Sequence, residues 1–260
     1  MPTIESNGCP IQVEIEGPEN KPVLMLSNSL GTTLHMWDPQ VKALTPHFRL
    51  LRYDRRGHGQ SGVPAGPYNM EMLGRDVLAI LDALKIDKVN WCGLSMGGMV
   101  GMWLGANAPQ RIDRLILSNT SAYMPNKDIW SDRINTVREK GLAAIMQGNM
   151  ERWFTKDFRD REPKKVQWVA DMFMTTKPEG YIACGEAVRD MDHREIIKSI
   201  TAPTLVIAGR DDPATTVEAA EFIRDRIPGA SMTVLEAAHI ANVECADEYT
   251  KTVLGFLQQK

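Results

Sequence analysis

Residues 88–108 read "KVNWCGLSMGGMVGMWLGANA". A short apolar run ends at Cys92, and apolar residues at helical spacing resume at Met96. Between them lies Gly93-Leu94-Ser95-Met96-Gly97, a serine with a glycine two residues away on each side. This pattern predicts a sharp strand-to-helix turn. The glycines allow neighbouring segments to approach where a Cβ would collide. The turn lifts the serine hydroxyl clear of the sheet, beside unpaired N–H groups at a helix N-terminus. The same letters also suit a glycine-rich packing turn, so the rest of the chain must decide.

Working outward, "IQVEIE" (11–16) alternates apolar and polar residues like a half-buried strand. "PVLML" (22–26) and "FRLLRYD" (48–54) are short apolar runs of the kind found in buried strands. Residues 32–44 and 70–86 carry helical periodicity; a strand is expected at 88–92, a helix at 96–108 and a strand at 114–118. Residues 122–199 read as mostly helical with no clear strand. Alternation resumes with a strand at 203–209, a helix at 217–226, a strand at 231–236 and a helix at 246–258. The expected architecture is α/β: a mostly parallel sheet with helices on both faces. Residues 1–121 and 200–260 would form the core, and 122–199 an inserted helical cap.

The 260 residues suit one large domain with an insertion. A net charge of −3 argues against a nucleic-acid partner. No apolar run approaches the length of a membrane helix, and the start "MPTIESNGCP" lacks the pattern of a signal peptide. Cys9, Cys92, Cys184 and Cys245 are scattered without metal-ligand spacing, so free thiols in a reducing cytoplasm are expected. Nothing in the composition fixes an oligomeric state.

A serine hydroxyl needs a base. His239, in "EAAHIANVE" after the strand at 231–236, sits where a loop can reach back over the sheet edge. His47 and His193 fall in polar segments expected to be exposed, and His35 precedes the serine in the chain. His58, in "YDRRGHGQSG", reads as structural, with a pocket-lining role as the alternative. "VIAGRDDPATT" places Asp211 and Asp212 at a strand end; Asp212 is favoured to orient the imidazole. Ser95, Asp212 and His239 thus follow the Ser…Asp…His order known for one class of hydrolases, each after a strand. Acyl transfer also needs donors aimed at the developing oxyanion. The N–H after the serine, Met96, is one, and the N–H of Leu30 in "SNSLGTT" (27–33) is the expected second.

"SNSLGTTLHMWDPQ", "LLRYDRRGHGQSG", "GLSMGG" and "AAHIANVE" together resemble the α/β-hydrolases, and among them the 3-oxoadipate enol-lactonases, over residues 11–258. Asn28-Ser29 stand where other α/β-hydrolases commonly have His-Gly. About four residues after Asp212, many relatives have Pro where this chain has Thr. The resemblance implies an α/β-hydrolase fold, a small lactone substrate bearing a carboxylate, and no metal or organic cofactor. Ser95 would attack the lactone carbonyl, His239 would take the proton, and Asp212 would hold the tautomer. The product would be 3-oxoadipate, formed in the β-ketoadipate pathway of aromatic catabolism. Asn28, Ser29, Trp130 and Arg133 are candidate substrate-binding residues. Arg133 lies one turn after Trp130, which can put guanidinium and indole on one helical face; a surface helix reads equally well. The methionines of "AIMQGNM" and "ADMFM" read as core filler. Alternatives are another serine hydrolase (an esterase or a cofactor-free haloperoxidase or perhydrolase) and, from a different class, a hydrolase-fold ligand receptor.

Overall fold

A computed structural model describes residues 3–259; the expected outer limits of the core at residues 1 and 260 lie outside them. Eight strands among these residues form one sheet: β1 (Thr3–Ser6), β2 (Cys9–Glu16), β3 (Val23–Ser27), β4 (Arg49–Tyr53), β5 (Val89–Leu94), β6 (Ile112–Ser118), β7 (Thr204–Gly209) and β8 (Ser231–Leu235). Their spatial order is β1-β2-β4-β3-β5-β6-β7-β8. β1 and β2 run antiparallel to their neighbours, and β3 to β8 are parallel. β5 and β7 are buried at every position. Continuous apolar runs such as "TLVIAG" belong in such strands because helices cover both faces.

Helices α1 (Asp38–Leu44), α2 (Met70–Ala83) and α3 (Met96–Asn107) alternate with the early strands. Between β6 and β7 come α4 (Lys127–Lys140), α5 (Ala143–Trp153), α6 (Lys156–Arg161), α7 (Pro163–Met174) and α8 (Pro178–Asp190). α9 (Val217–Arg226), α10 (Ala241–Glu244) and α11 (Ala246–Leu257) follow. Residues 122–199 hold one isolated bridge, Tyr123 to Asp192, at the two ends of this helical stretch. α8 meets the loop after β4 backbone to backbone: a Cβ on Gly180 would lie 2.0 Å from the Gly57 oxygen.

Two local expectations change. The helix anticipated over 32–44 is a 3₁₀ turn at Leu34–Trp37 followed by α1. Pro39 lacks an N–H and fits only a first helical turn, and the Leu34 N–H is taken by Asp54 Oδ1 at 2.8 Å. The chain start also supplies a strand absent from the sequence reading. Asn7 and Gly8, at φ 47° and 75°, close a two-residue hairpin that pairs Ser6 with Cys9.

Strand order reverses direction at β3 and β5, with β4 on the far side of β3 and β6 on the far side of β5. Loops leaving the C-terminal ends of two such strands diverge and open a crevice, the usual ligand site of open α/β sheets. Ser27 and Gly93 are paired there, one residue and two residues before the two departing loops.

Candidate active site

Ser95 stands between β5 and α3 at φ 56° and ψ −115°. That backbone region costs a non-glycine residue of order 1–3 kcal/mol and persists only when its surroundings impose it. Here they do. The Ser95 N–H donates to Ser118 O (2.8 Å), while its carbonyl accepts from Thr120 Oγ1 (2.7 Å) and the Met99 N–H (3.0 Å). A Cβ on Gly93 would lie 2.1 Å from Gly97 O, and one on Gly97 would lie 2.0 Å from Ser27 O. The glycines are therefore required by contact between β5, α3 and β3.

Asp212 and His239 meet beside it. His239 Nδ1 and Asp212 Oδ2 are 2.7 Å apart. Oδ2 also accepts from Thr215 Oγ1 (2.6 Å) and Asn119 Nδ2 (3.2 Å), and Oδ1 from the N–H groups of Ala214 (2.8 Å) and Thr215 (3.0 Å). Burial works to raise the Asp212 pKa, but His239 and these donors outweigh it and hold the carboxyl below its ordinary value. Asp211 is exposed, and its N–H is spent on Ala237 O. Of the two aspartates it is Asp212 that faces the imidazole. Thr216, at the place where many relatives have Pro, caps α9 by accepting from the Ala219 N–H. Among the described residues the Ser95 hydroxyl makes no hydrogen bond; Ser95 and His239 line one cavity.

The loop after β3 is held from several sides. Its Gly31 N–H donates to His58 Nε2 at 2.8 Å. Burial and the neighbouring Arg55 lower the His58 pKa to about 3, so this imidazole is neutral and its Nε2 is an acceptor. Thr32 Oγ1 donates to Ser29 O (2.9 Å), and Arg55 Nη2 donates to Asn28 O. The N–H groups of Leu30 and Met96 donate to no protein acceptor among the described residues, although those of Ser29 and Gly31 do. Both residues line the cavity with Ser95.

The cavity measures about 440 Å³. Its apolar lining includes Met96, Met99, Trp130, Trp153 and Val188. Two cations interrupt it. Arg133 Nε donates to Tyr181 Oη at 2.6 Å, and its Nη2 donates to Asn149 Oδ1. Arg152 Nη2 donates to the same Asn149 oxygen at 2.7 Å. The Arg133 guanidinium lies 5.7 Å from the ring centres of both Trp130 and Tyr181. Burial and the neighbouring Arg133 lower the Arg152 pKa. Among the described residues neither arginine pairs with a carboxylate.

The expected substrate-binding set is thus partly brought together. Ser29, Trp130 and Arg133 line the cavity, but Asn28 does not. Asn28 is fully buried and its Nδ2 donates to Thr32 O at 2.7 Å, so its amide shapes the loop instead of facing a ligand. His193 is buried rather than exposed: its N–H donates to Ala122 O at 2.7 Å, and burial lowers its pKa to about 4. His58 takes the structural role, while His35 and His47 are exposed. The four cysteines are free, and the methionines of 144–150 and 170–174 do not line the cavity. Asn149, Arg152 and Trp153 were not singled out by sequence. Their one signal is the spacing of 149, 152 and 153, which shares a face of α5. No group of three or more His, Cys, Asp or Glu residues among those described is arranged to hold a metal, and no described helix is long and apolar enough to cross a membrane.

The profile of the alpha/beta hydrolase fold family matches residues 22–169. The chain is 40% identical over 243 residues to "3-oxoadipate enol-lactonase 2" of Acinetobacter baylyi, covering 94% of this chain and 91% of that protein. It is 38% identical over 251 residues to "3-oxoadipate enol-lactonase 1" of the same organism, covering 96% and 94%. The crystal structure of the enol-lactonase from Burkholderia xenovorans LB400 superposes with a TM-score of 0.98 at 44% identity, over 99% of this chain and 100% of that one. With its sheet, its switch-point crevice and these similarities, the chain belongs to the alpha/beta hydrolase fold family and, within it, to the 3-oxoadipate enol-lactonases.

Proposed function

We propose that this enzyme hydrolyses 3-oxoadipate enol-lactone to 3-oxoadipate, in the cytoplasm and in the breakdown of aromatic compounds. The observation that carries the reading is the pair Arg133 and Arg152, two guanidinium groups with no acid partner among the described residues, in the cavity that also holds Ser95 and His239. A lactone with a carboxymethyl arm brings the carboxylate this wall lacks, and planar guanidinium groups suit carboxylates.

In this mechanism Ser95 Oγ attacks the lactone carbonyl while His239 takes its proton. Asp212, fixed by five donors, keeps Nδ1–H of His239 pointing inward and stabilises the imidazolium. The carbonyl oxygen, as it becomes negative, enters the space between the Leu30 and Met96 N–H groups. Each such donor contributes about 2.7–4 kcal/mol to lowering the barrier. The ring C–O bond breaks as His239 passes its proton to the departing enol oxygen, and the enol stays attached because acyl group and leaving group share one chain. Water, deprotonated by His239, then releases the acid. The enol tautomerises to the ketone. Residues 122–199 act as a cap that supplies recognition, and the strand ends supply the chemistry.

The test is to generate the enol-lactone in situ and follow the loss of its ultraviolet absorbance. Fast loss with the wild type and loss near background with Ser95→Ala are expected. A lactone left untouched by the wild type would overturn the substrate assignment, and equal rates with Ser95→Ala would overturn the nucleophile.

A further inference from the structure

We propose that the same site hydrolyses open-chain half-esters of six-carbon dicarboxylic acids, and prefers them to neutral esters of matched length. The inference rests on the enol-lactone reading and extends it to a class of substrate with no ring.

In the enol-lactone the carbonyl to be attacked and the free carboxylate lie on one six-carbon chain. The groups that recognise the carboxylate therefore hold the acyl half, and the acyl half is what becomes attached to Ser95. A linear half-ester of the same length gives an acyl-enzyme with its carboxylate at the same remove from the serine. The ring is needed neither to present the carbonyl nor to position the charge.

The recognition groups suit such an anion. Arg133 and Arg152 converge on one amide oxygen, Asn149 Oδ1, and are not neutralised by it. Asn149 is fully buried, lines the cavity, and its Nδ2 has no hydrogen-bond partner. An incoming carboxylate oxygen therefore meets two cations held side by side in the cavity lining. The Tyr181 hydroxyl and ring and the Trp130 ring fix the Arg133 fork in place. A neutral acyl chain desolvates the two guanidinium groups and brings them no anion, which sets the direction of the preference.

The leaving group has a way out. The cavity rim includes Pro125, Asn126 and Ile129 on the α4 side and Pro213 and Ala214 next to Asp212, all exposed. Ile129 is 64% exposed. A cavity of about 440 Å³ lies in the range that holds drug-sized ligands, beyond what a six-carbon lactone fills. The alcohol part of an ester can therefore project between these segments, beside His239. The step balances. A bond forms between Ser95 Oγ and the carbonyl carbon, the ester C–O bond breaks, and the alcohol leaves with the proton held by His239. Water then cleaves the acyl-serine to give the diacid.

The experiment compares the p-nitrophenyl monoester of adipic acid with p-nitrophenyl hexanoate, using wild type, Arg133→Gln and Arg152→Gln, with the enol-lactone assayed in parallel. The wild-type ratio of kcat/KM, charged over neutral, is expected to be about 10–10² in favour of the half-ester, the range of a charge-assisted hydrogen bond. It should fall toward one in both variants. A ratio within one preparation is insensitive to any misfolded fraction. A wild-type ratio at or below one while the lactone is turned over sinks this inference alone. A ratio unchanged by both substitutions sinks it too. A clear preference without lactone turnover supports the half-ester reaction and removes the lactone reading. An enzyme that takes neither compound overturns both.

Discussion

The strand ends and the helical wall enclose one cavity in opposite electrostatic states. At the strand ends the acid is answered inside the protein: Asp212 accepts five hydrogen bonds, and the loop that carries Leu30 is pinned by His58, Arg55 and Thr32. On the wall, Arg133 and Arg152 share one amide oxygen and have no acid among the described residues. The difference separates a region organised before substrate arrives from one that substrate completes. Preorganised dipoles stabilise a transition state without reorganising, whereas unanswered charges select the ligand that answers them.

The largest expected effect lies at the strand ends. Ser95→Ala should lower kcat by roughly 10⁵–10⁶-fold and Asp212→Asn by about 10⁴-fold, the scale of comparable serine enzymes. Asp211→Asn, one residue away but exposed, should stay within about twofold. Steady-state kinetics on the lactone checks all three, and similar losses at Asp211 and Asp212 would break the assignment of the acid.

Next comes acid stability. His58 and His193 are held to about 3 and about 4, below their ordinary 6.5. Between pH 6.5 and about 4 the unfolded chain binds protons that the native chain refuses, so stability falls as pH drops and is level above 6.5. From pH 7.5 to 5 each should cost about 2 kcal/mol. Urea midpoints across this range would show it, and His193→Gln should flatten the slope; a flat wild-type profile would count against both burials.

On the wall, Arg133→Ala or Arg152→Ala should reduce kcat/KM for carboxylated substrates by about 10–10²-fold. Because the two share Asn149, the double variant should cost less than the product of the single losses. Full additivity would show two independent contacts and dissolve the picture of one anion-holding cluster. Arg133→Lys should restore only part, since an ammonium offers no fork.

The smallest effect tests whether the pinned loop matters to chemistry. His58→Ala removes the acceptor for the Gly31 N–H and should lower kcat about tenfold with less change in KM, while His58→Gln, whose amide oxygen can accept, should recover part of it. Equal kcat in both variants would separate His58 from the positioning of Leu30.

What the sequence disclosed follows the same division. Ser95, Asp212, His239, Leu30 and Met96 each stand just beyond a strand, where chain order and turn residues carry the information locally. Asn149 and Arg152 belong to α5 and Arg133 to α4; they meet only through packing of helices against each other, which no local pattern encodes. The stretch "AIMQGNM" reads as methionine filler although its asparagine faces the cavity. His193 stands between Asp192 and Arg194, both exposed, yet it is buried, and its N–H donates to Ala122 O far back along the chain. Asn28 departs from its expected role for a related reason: a polar residue beside the site can spend its amide on the backbone of its own loop. The Asn7-Gly8 hairpin escaped the sequence reading because β1 is only four residues long, too short for an alternating pattern to stand out.

The contact of Gly57 with Gly180 bears on how fast the enzyme can turn over. α8 is joined to the loop holding His58 with no side chain between them, and the Tyr68 N–H reaches Ala183 O across the same seam. The helical wall therefore has no free swing on this side, because lifting it would drag the acceptor away from Gly31. Traffic is left to the rim at Pro125 to Ile129. If escape of the diacid limits the cycle, kcat will fall with solvent viscosity, and shortening the side chain of Ile129 will raise it.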